Sequence, residues 1–365
     1  MGRMARRLGR FGTFVIAVLW AARKAARIDA HAAHSGGYKN RLVRFAVIHN
    51  PRSRLNLRDR DGFEAQASRR LGSAFVRTTD LDTLRSALEE LARRSVDTIA
   101  INGGDGTVSH VLTAIAEVYP ADHLPRIAIL PSGNTNLIAA DVGFGLRGTT
   151  ALDALDATPR RIVHAVRAPI RVRWPGTDRA PVMGMFQGSA AYARAIAIAH
   201  SPGVLKYAPH DLAVGVTLAS AIGGLVLNPR TRRTWLDGEA LHLRDGDRDA
   251  QADKSFLFLA TALQKLTYGV WPFWRGPGTT ADGVHYLNVH ANPRRLPGAL
   301  ANLLRGRAPA WLRTSDDYES GCSQALRIAS PGDFVLDGEM FDTGPHGEIT
   351  LESGPRFSFL RSVTA

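Results

Sequence analysis

The stretch between residues 43 and 136 repeats one pattern. A short run of β-branched and apolar residues ends in a polar loop, and a segment of helical spacing follows. The run 43–49 (VRFAVIH) leads into Asn50-Pro51-Arg52-Ser53-Arg54. The run 96–101 (VDTIAI) leads into Asn102-Gly103-Gly104-Asp105-Gly106-Thr107, and 126–130 leads into Pro131-Ser132-Gly133-Asn134-Thr135-Asn136. A further run covers 74–78. Helical spacing fills 63–71, 81–94 (Leu84, Leu88, Leu91) and 108–118. Strands separated by helices of about 10–15 residues require right-handed crossovers, which predicts a parallel, Rossmann-like α/β sheet.

In such a sheet a ligand sits beyond the carboxyl ends of the strands, where these loops fall. Glycines let the backbone turn sharply and let a ligand approach the amides. A following helix adds unpaired N–H groups and a positive dipole end, a seat for phosphate. Thr107 can cap its helix or bond a phosphate. Asp105 needs a cation between it and phosphate oxygens, and Mg²⁺ held by one carboxylate, waters and phosphates suits that position. One GGDG alone reads as a tight strand-to-helix connection with an Asp cap; three such loops together point to a phosphate site. The GxGxxG letters at 143–148 follow a helical segment and so fail the dinucleotide test. None of the five lysines follows a glycine, which excludes a GxxxxGK[ST] loop, and no HExxH occurs.

The net charge is +13 over 365 residues. Residues 1–44 hold ten Lys or Arg against one acid, Asp29, so the excess lies in an N-terminal arm. That argues against a nucleic-acid binder with a basic folded face. In the arm, Arg3, Arg6, Arg7 and Arg10 precede an apolar run at 11–22, and Arg23, Lys24 and Arg27 follow it. Twelve residues are too few to span a bilayer. A helix lying on an anionic membrane fits, as does a disordered arm. The peripheral reading places the protein in the cytoplasm at the inner membrane face. One cysteine, Cys322, excludes an internal disulfide and any zinc site with two thiolates.

Beyond residue 160, short strands with Gly and Pro punctuation are expected at 161–165, 170–174, 240–243, 255–260, 285–290, 349–352 and 357–360. Helices are expected at 189–200 and 211–227. This predicts a C-terminal β-sandwich domain with inserted helices, and a division into arm and linker (1–40), α/β domain (41–160) and β-rich domain (161–365). Trp271, Phe273 and Trp274 read as a core plug or as an interfacial cluster.

NPRS at 50–53, GGDGT at 103–107, PSGNTN at 131–136 and the late Leu336-Asp337-Gly338-Glu339 resemble, in this order, the diacylglycerol kinase catalytic-domain family, which includes bacterial diacylglycerol and sphingosine-type kinases. The resemblance covers about residues 41–365. It implies that 41–160 is the nucleotide-binding domain and 161–365 the lipid-substrate domain, with nucleotide bound between them, ATP and Mg²⁺ as cofactors and a lipid hydroxyl as acceptor. Asn50, Pro51, Arg52, Ser53, Arg54, Thr78, Gly103, Gly104, Asp105, Gly106, Thr107 on to His110, Gly133 and Asn134 would line the ATP site. Asp105 would reach Mg²⁺ through water, and Glu339 or Asp337 would take the hydroxyl proton. The Asp282 side chain with the Thr279 and Val284 carbonyls would hold a structural Mg²⁺, and a plain turn explains that segment as well. Arg54 stands where the family usually has glycine, Asn134 where threonine is usual, and Leu137 where an aspartate is common. A second Asp237-Gly238-Glu239 occurs, and the resemblance alone selects the later copy. The alternatives are an NAD-kinase-like enzyme with a soluble acceptor and a non-catalytic lipid-binding protein on the same fold. The implied partners are the lipid substrate and an anionic membrane, not nucleic acid; a homo-oligomer is left open.

Overall fold

The computed structural model describes residues 45–59, 62–78, 80–156, 162–199, 229–246, 248–249, 253–267, 270–274 and 283–362. The arm at 1–40, the helix expected at 211–227, and Thr279 and Asp282 lie outside them.

The first domain runs β1 (Phe45–His49), α1 (Phe63–Leu71), β2 (Phe75–Arg77), α2 (Leu81–Arg93), β3 (Thr98–Gly103), α3 (Asp105–Val118), β4 (Arg126–Pro131), α4 (Leu137–Val142), α5 (Gly148–Asp156) and β5 (Ile162–Arg167). Strands β2-β1-β3-β4 pair in parallel in that order. Both sheet faces are covered, as side-chain alternation requires. Ala46, Ile48, Ile99, Ile101, Ile127 and Ile129 join the core that holds Leu84, Leu88 and Leu91 of α2 and Val108, Val111 and Ile115 of α3. Phe45, Val47, Ala100 and Ala128 pack with Phe63 of α1 and Leu152 of α5 instead. Helix α2 starts where Asp80 accepts the Thr83 N–H at 2.7 Å, an N-cap that satisfies one of its free donors.

The second domain holds β6 (Ile170–Arg173), β7 (Val182–Gly184), β8 (Phe186–Ala190), α6 (Ala191–Ala199), α7 (Pro229–Leu236), β9 (Glu239–Ala240), β10 (His242–Asp245), β11 (Arg248–Asp249), β12 (Lys254–Thr261), β13 (Val284–His290), α8 (Leu296–Leu303), α9 (Ala310–Arg313), β14 (Tyr318–Ser323), β15 (Ala325–Ala329), β16 (Phe334–Leu336), β17 (Glu339–Phe341) and β18 (Glu348–Ser353). Two antiparallel sheets form, ordered β11-β10-β15-β18-β6-β7 and β14-β13-β12-β8-β16-β17, with β9 beside β12. Val172, Ile328 and Leu351 of one sheet share an apolar core with Phe258, Tyr286 and Phe334 of the other, the interior of a sandwich.

The last strand, β19 (Phe357–Ser362), leaves the sandwich and enters the first sheet, parallel to β4 and antiparallel to β5. The strands expected at 161–165 and 357–360 therefore belong to the first sheet and not to the sandwich. Strand alternation reports which face is buried but not which strand is the neighbour. Phe357 and Phe359 pack on one side of the sheet and Leu360 on the other, so β19 is an interior strand and β5 the edge. The helix expected from residue 189 begins at Ala191, because Ser189 and Ala190 belong to β8. Trp271 and Phe273 pack on His285 with ring centroids 5.2 and 6.1 Å away, and Phe273 is buried, the arrangement of a core plug.

Helix α3 is the joint between the domains. One face lies on the first sheet, and its Thr113 hydroxyl accepts the Met183 N–H of β7 at 2.8 Å. A second fastening runs through buried Asp141 of α4. Its carboxylate takes both Arg167 Nε (2.8 Å) and Nη2 (2.9 Å) and the Gln264 N–H (2.9 Å).

Candidate active site

The three polar loops converge at the carboxyl end of the first sheet. Asn50 follows β1, and its side-chain amide donates to the Thr107 hydroxyl at 2.8 Å while its Oδ1 accepts the Arg52 N–H at 2.9 Å. Thr78 donates its N–H to the His49 carbonyl at 2.9 Å, which sets the end of β2 beside this loop. The Leu55 N–H donates to the Ser132 carbonyl at 3.0 Å, and the Ser132 N–H to the Gly103 carbonyl at 2.9 Å, so each loop is tied to the next. Ser53 is buried; Arg52, Arg54 and Asn134 are exposed, and Pro51 is half-buried.

A buried polar network lies beneath. The Ser132 hydroxyl donates to Asn102 Oδ1, and the Asn102 amide reaches His49 Nδ1 at 3.2 Å. Glu64 lies 3.5 Å from His49 Nε2. Burial pushes the His49 pKa down, against the pull of Glu64. No spacing or motif announces this network, because His49 reads as the end of a strand.

Glycine is required where the loops touch. A Cβ on Gly104 would stand 3.0 Å from the Gly133 Cα, and one on Gly133 would stand 2.5 Å from the Gly104 Cα. The Thr107 side chain folds back over Gly103. Asn136, at φ +49°, accepts the Gly133 N–H at 2.9 Å and donates to its carbonyl at 2.8 Å, closing the third loop on itself.

Asp105 occupies the first position of α3. Its two carboxylate oxygens accept the Leu137 N–H (2.8 Å) and the Ile138 N–H (3.0 Å), so it caps α4 rather than its own helix. Burial raises its pKa and those two amides oppose the rise. Each oxygen keeps one acceptor site. No cluster of three His, Cys, Asp or Glu suited to a metal exists among the described residues. A donor set of one carboxylate fits Mg²⁺ held chiefly by waters and phosphate oxygens, and does not fit a cage of protein ligands. Of the second metal site expected from the sequence, only Val284, at the start of β13, is described.

The late acidic turn reaches these loops from the second domain. Leu336 pairs with Glu339, and Asp337 (φ +48°) and Gly338 (φ +91°) form the two-residue turn between β16 and β17. The two acids are treated differently. Asp337 accepts the Met185 N–H (2.8 Å), the Phe186 N–H (2.9 Å) and the Ser109 hydroxyl of α3. Burial holds its carboxyl up to about 7, against those three donors. Half-buried Tyr192, which lies over Gly188, is pushed up to about 12 by desolvation and then by Asp337 and Asp105. Glu339 instead keeps 42% of its side chain exposed and places Oε1 2.6 Å from where a Gly106 Cβ would be. Its Oε2 lies 2.9 Å from His110 Nε2. The earlier copy lies elsewhere: Glu239 pairs with Arg194 at 2.6 Å.

The loop residues expected from the sequence converge here. The His110–Glu339 pair, the Ser109 and Thr113 contacts, and the capping of α4 by Asp105 are additions that only the structure supplies. The spacing of Asp105, Ser109 and Thr113, and of Gly106 and His110, marks one helix face in each case, the only trace these contacts leave in the sequence.

Residues 44–167 match the model of the diacylglycerol kinase catalytic domain. That match spans about a third of the chain, and over it the chain is similar to that family. Proteins of Yersinia pestis (strain Pestoides F) and Yersinia pseudotuberculosis serotype O:1b (strain IP 31758), both named "Probable lipid kinase YegS-like", are each 40% identical over 65 residues. The matched segment is 18% of this chain and 22% of each of those proteins. The likeness in three dimensions is broader. The crystal structure of a diacylglycerol kinase from Bacillus anthracis str. Sterne superposes with a TM-score of 0.53, covering 89% of this chain and 98% of that one at 14% identity. At that identity the likeness is one of fold.

Proposed function

We propose that this chain is an ATP- and Mg²⁺-dependent phosphotransferase whose acceptor is a hydroxyl of diacylglycerol or a related lipid or long-chain base. The observation that carries the reading is Glu339 of one domain lying against Gly106 in the glycine loop of the other. A phosphoryl donor and a hydroxyl acceptor must meet between such groups, and phosphoryl transfer asks the protein mainly to position and to neutralise charge.

Amides of the loops at 102–107 and 131–136 would hold the phosphates, with Asn50 and Thr107 fixed together beside them. Mg²⁺, when bound, neutralises phosphate charge, and Asp105 is the residue that would hold it through water. Glu339 is the base: its carboxylate is half-exposed, and Oε1 is placed to accept the proton of the acceptor hydroxyl. Asp337 is spent on two amides and the Ser109 hydroxyl, which makes it the anchor of the turn. The basic and apolar composition of residues 1–40 supports a peripheral seat on an anionic membrane, where the acceptor resides. No helix among the described residues is long and apolar enough to cross a membrane.

The test is transfer from radiolabelled ATP to a panel of lipids in mixed micelles, with NAD as a soluble competitor acceptor. Wild type should label a lipid, and Glu339→Gln should lower kcat by on the order of 10²–10⁴. No lipid labelled by wild type, labelling of NAD alone, or full activity in Glu339→Gln would each sink the reading.

A further inference from the structure

The first turns of α3, which continue the glycine loop, carry a side chain that the resemblance places in the ATP site but that the structure turns to an acid instead. His110 stands one helical turn beyond Gly106, on the same face of α3. Its Nε2 lies 2.9 Å from Glu339 Oε2, while the other carboxylate oxygen, Oε1, rests against Gly106. Glu339 heads a strand of three residues, its neighbour Met340 is exposed, and its carboxylate is itself half-exposed. A glutamate in that position has several side-chain torsions to wander through, so something must hold it on the loop. Among the described residues, His110 is the ion-pair partner that the structure gives it.

We infer that His110 is a positioning residue for phosphoryl transfer. It donates its Nε2–H to Glu339 Oε2 and thereby keeps Oε1 facing the glycine loop, where an acceptor hydroxyl meets the terminal phosphate. The inference rests on the lipid-kinase reading for the identity of the reaction, but the pair itself does not. Asp105 and Asp337, the other carboxyls at this junction, are engaged by backbone amides, and Ser109 turns to Asp337. Glu339 is therefore the acid that His110 meets, and the hydrogen bond to it is the main cause that raises the His110 pKa.

Two measurements on the full-length chain separate this from a nucleotide contact or a structural role. The first is kinetic. His110→Ala should lower kcat by on the order of tenfold to a hundredfold with the ATP KM nearly unchanged, because only the placement of the base is lost. His110→Gln keeps an N–H donor and should recover most of that loss. The second measurement needs no activity: the His110 ring is titrated by NMR in wild type and in Glu339→Gln. Its pKa should fall toward the ordinary value of 6.5 when the carboxylate is removed. Unchanged kcat in His110→Ala, an ATP KM that rises in step with the loss of kcat, or a titration indifferent to Glu339→Gln would overturn the assignment. A wild type that labels no lipid would defeat the kinase reading, and the titration would still decide whether His110 holds Glu339.

Discussion

Two loops that bring their backbones together at glycines should tolerate a methyl group badly, and the structure ranks the damage. A Cβ on Gly133 would stand 2.5 Å from the Gly104 Cα, whereas ordinary contact begins at 3.4 Å. The loops must therefore part by about 1 Å, and no side chain can rotate away to relieve the clash. Both sides are tethered: the Ser132 N–H is bonded to the Gly103 carbonyl at 2.9 Å, and the Gly133 N–H to Asn136 Oδ1 at 2.9 Å. Overpacking of this kind costs about 1–3 kcal/mol. In a chain of this length each kcal/mol lowers Tm by roughly 1–2 °C. Gly133→Ala should therefore lose a few degrees, and Gly104→Ala, whose Cβ would meet the Gly133 Cα at 3.0 Å, should lose less. Gly298→Ala is the control. It lies in α8 with nothing within 4 Å, and replacing a helical glycine gains roughly 0.5–1 kcal/mol, so its Tm should hold or rise. Thermal melts of the three variants test the order, and the ATP KM of Gly133→Ala should rise as its amides are displaced. A Gly133→Ala protein that melts with wild type at unchanged ATP KM would refute the claim that these loops form one packed phosphate cradle.

Gly106→Ala should separate activity from stability: its Cβ would meet only the far end of the Glu339 side chain, 2.6 Å away, so Tm should change little while kcat falls as that carboxylate is pushed off the loop. Asp337→Asn tests the amide-bound acid by pH. With a folded value of about 7 against an ordinary 3.8, the folded chain keeps a proton that the unfolded chain has released, so this group's contribution is full below about 3.8 and is lost as pH rises through about 7, at most about 4 kcal/mol. The variant should flatten the decline in Tm between about pH 4 and 7.5, and an unaltered slope would show that another group causes it. Arg167→Ala leaves buried Asp141 with only the Gln264 amide and should cost about 3–5 kcal/mol, read as a loss of denaturation midpoint.

What the sequence made legible is what local chemistry encodes. The β1, β3 and β4 runs show as apolar stretches because both faces of that sheet are covered, and the loops after them show because backbone approach demands glycine. The apolar spacing of Leu84, Leu88 and Leu91 announces α2 for the same reason. Strands 182–184, 186–190, 318–323, 334–336 and 339–341 have no such mark. Several are only three residues long, and Phe334–Leu336 is buried throughout, so neither length nor alternation reveals them. The choice between Asp337 and Glu339 is likewise closed to the sequence. Asp337 lies in the turn and Glu339 beside it, and only the folded arrangement sets one on the Met185 and Phe186 amides and the other against the glycine loop.

That docking explains how a site can be assembled from residues more than two hundred positions apart. Gly106 and Glu339 share no element, so their separation is set by whatever fixes one domain on the other. Three fastenings do so, each in a different part of the chain. Ser109 and Thr113 of α3 bond to Asp337 and Met183. Asp141 joins Arg167 of β5 to the Gln264 amide that follows β12. After leaving β18, the chain returns as β19 into the first sheet, between β4 and β5. A rotation of the second domain that moved Glu339 off Gly106 would have to strip hydrogen bonds from buried or half-buried groups at the first two and drag on a strand paired on both sides at the third. The sheet that presents the glycine loops thus also holds the end of the chain that delivers the acid, and the distance between loop and acid is a property of one connected framework rather than of a free hinge.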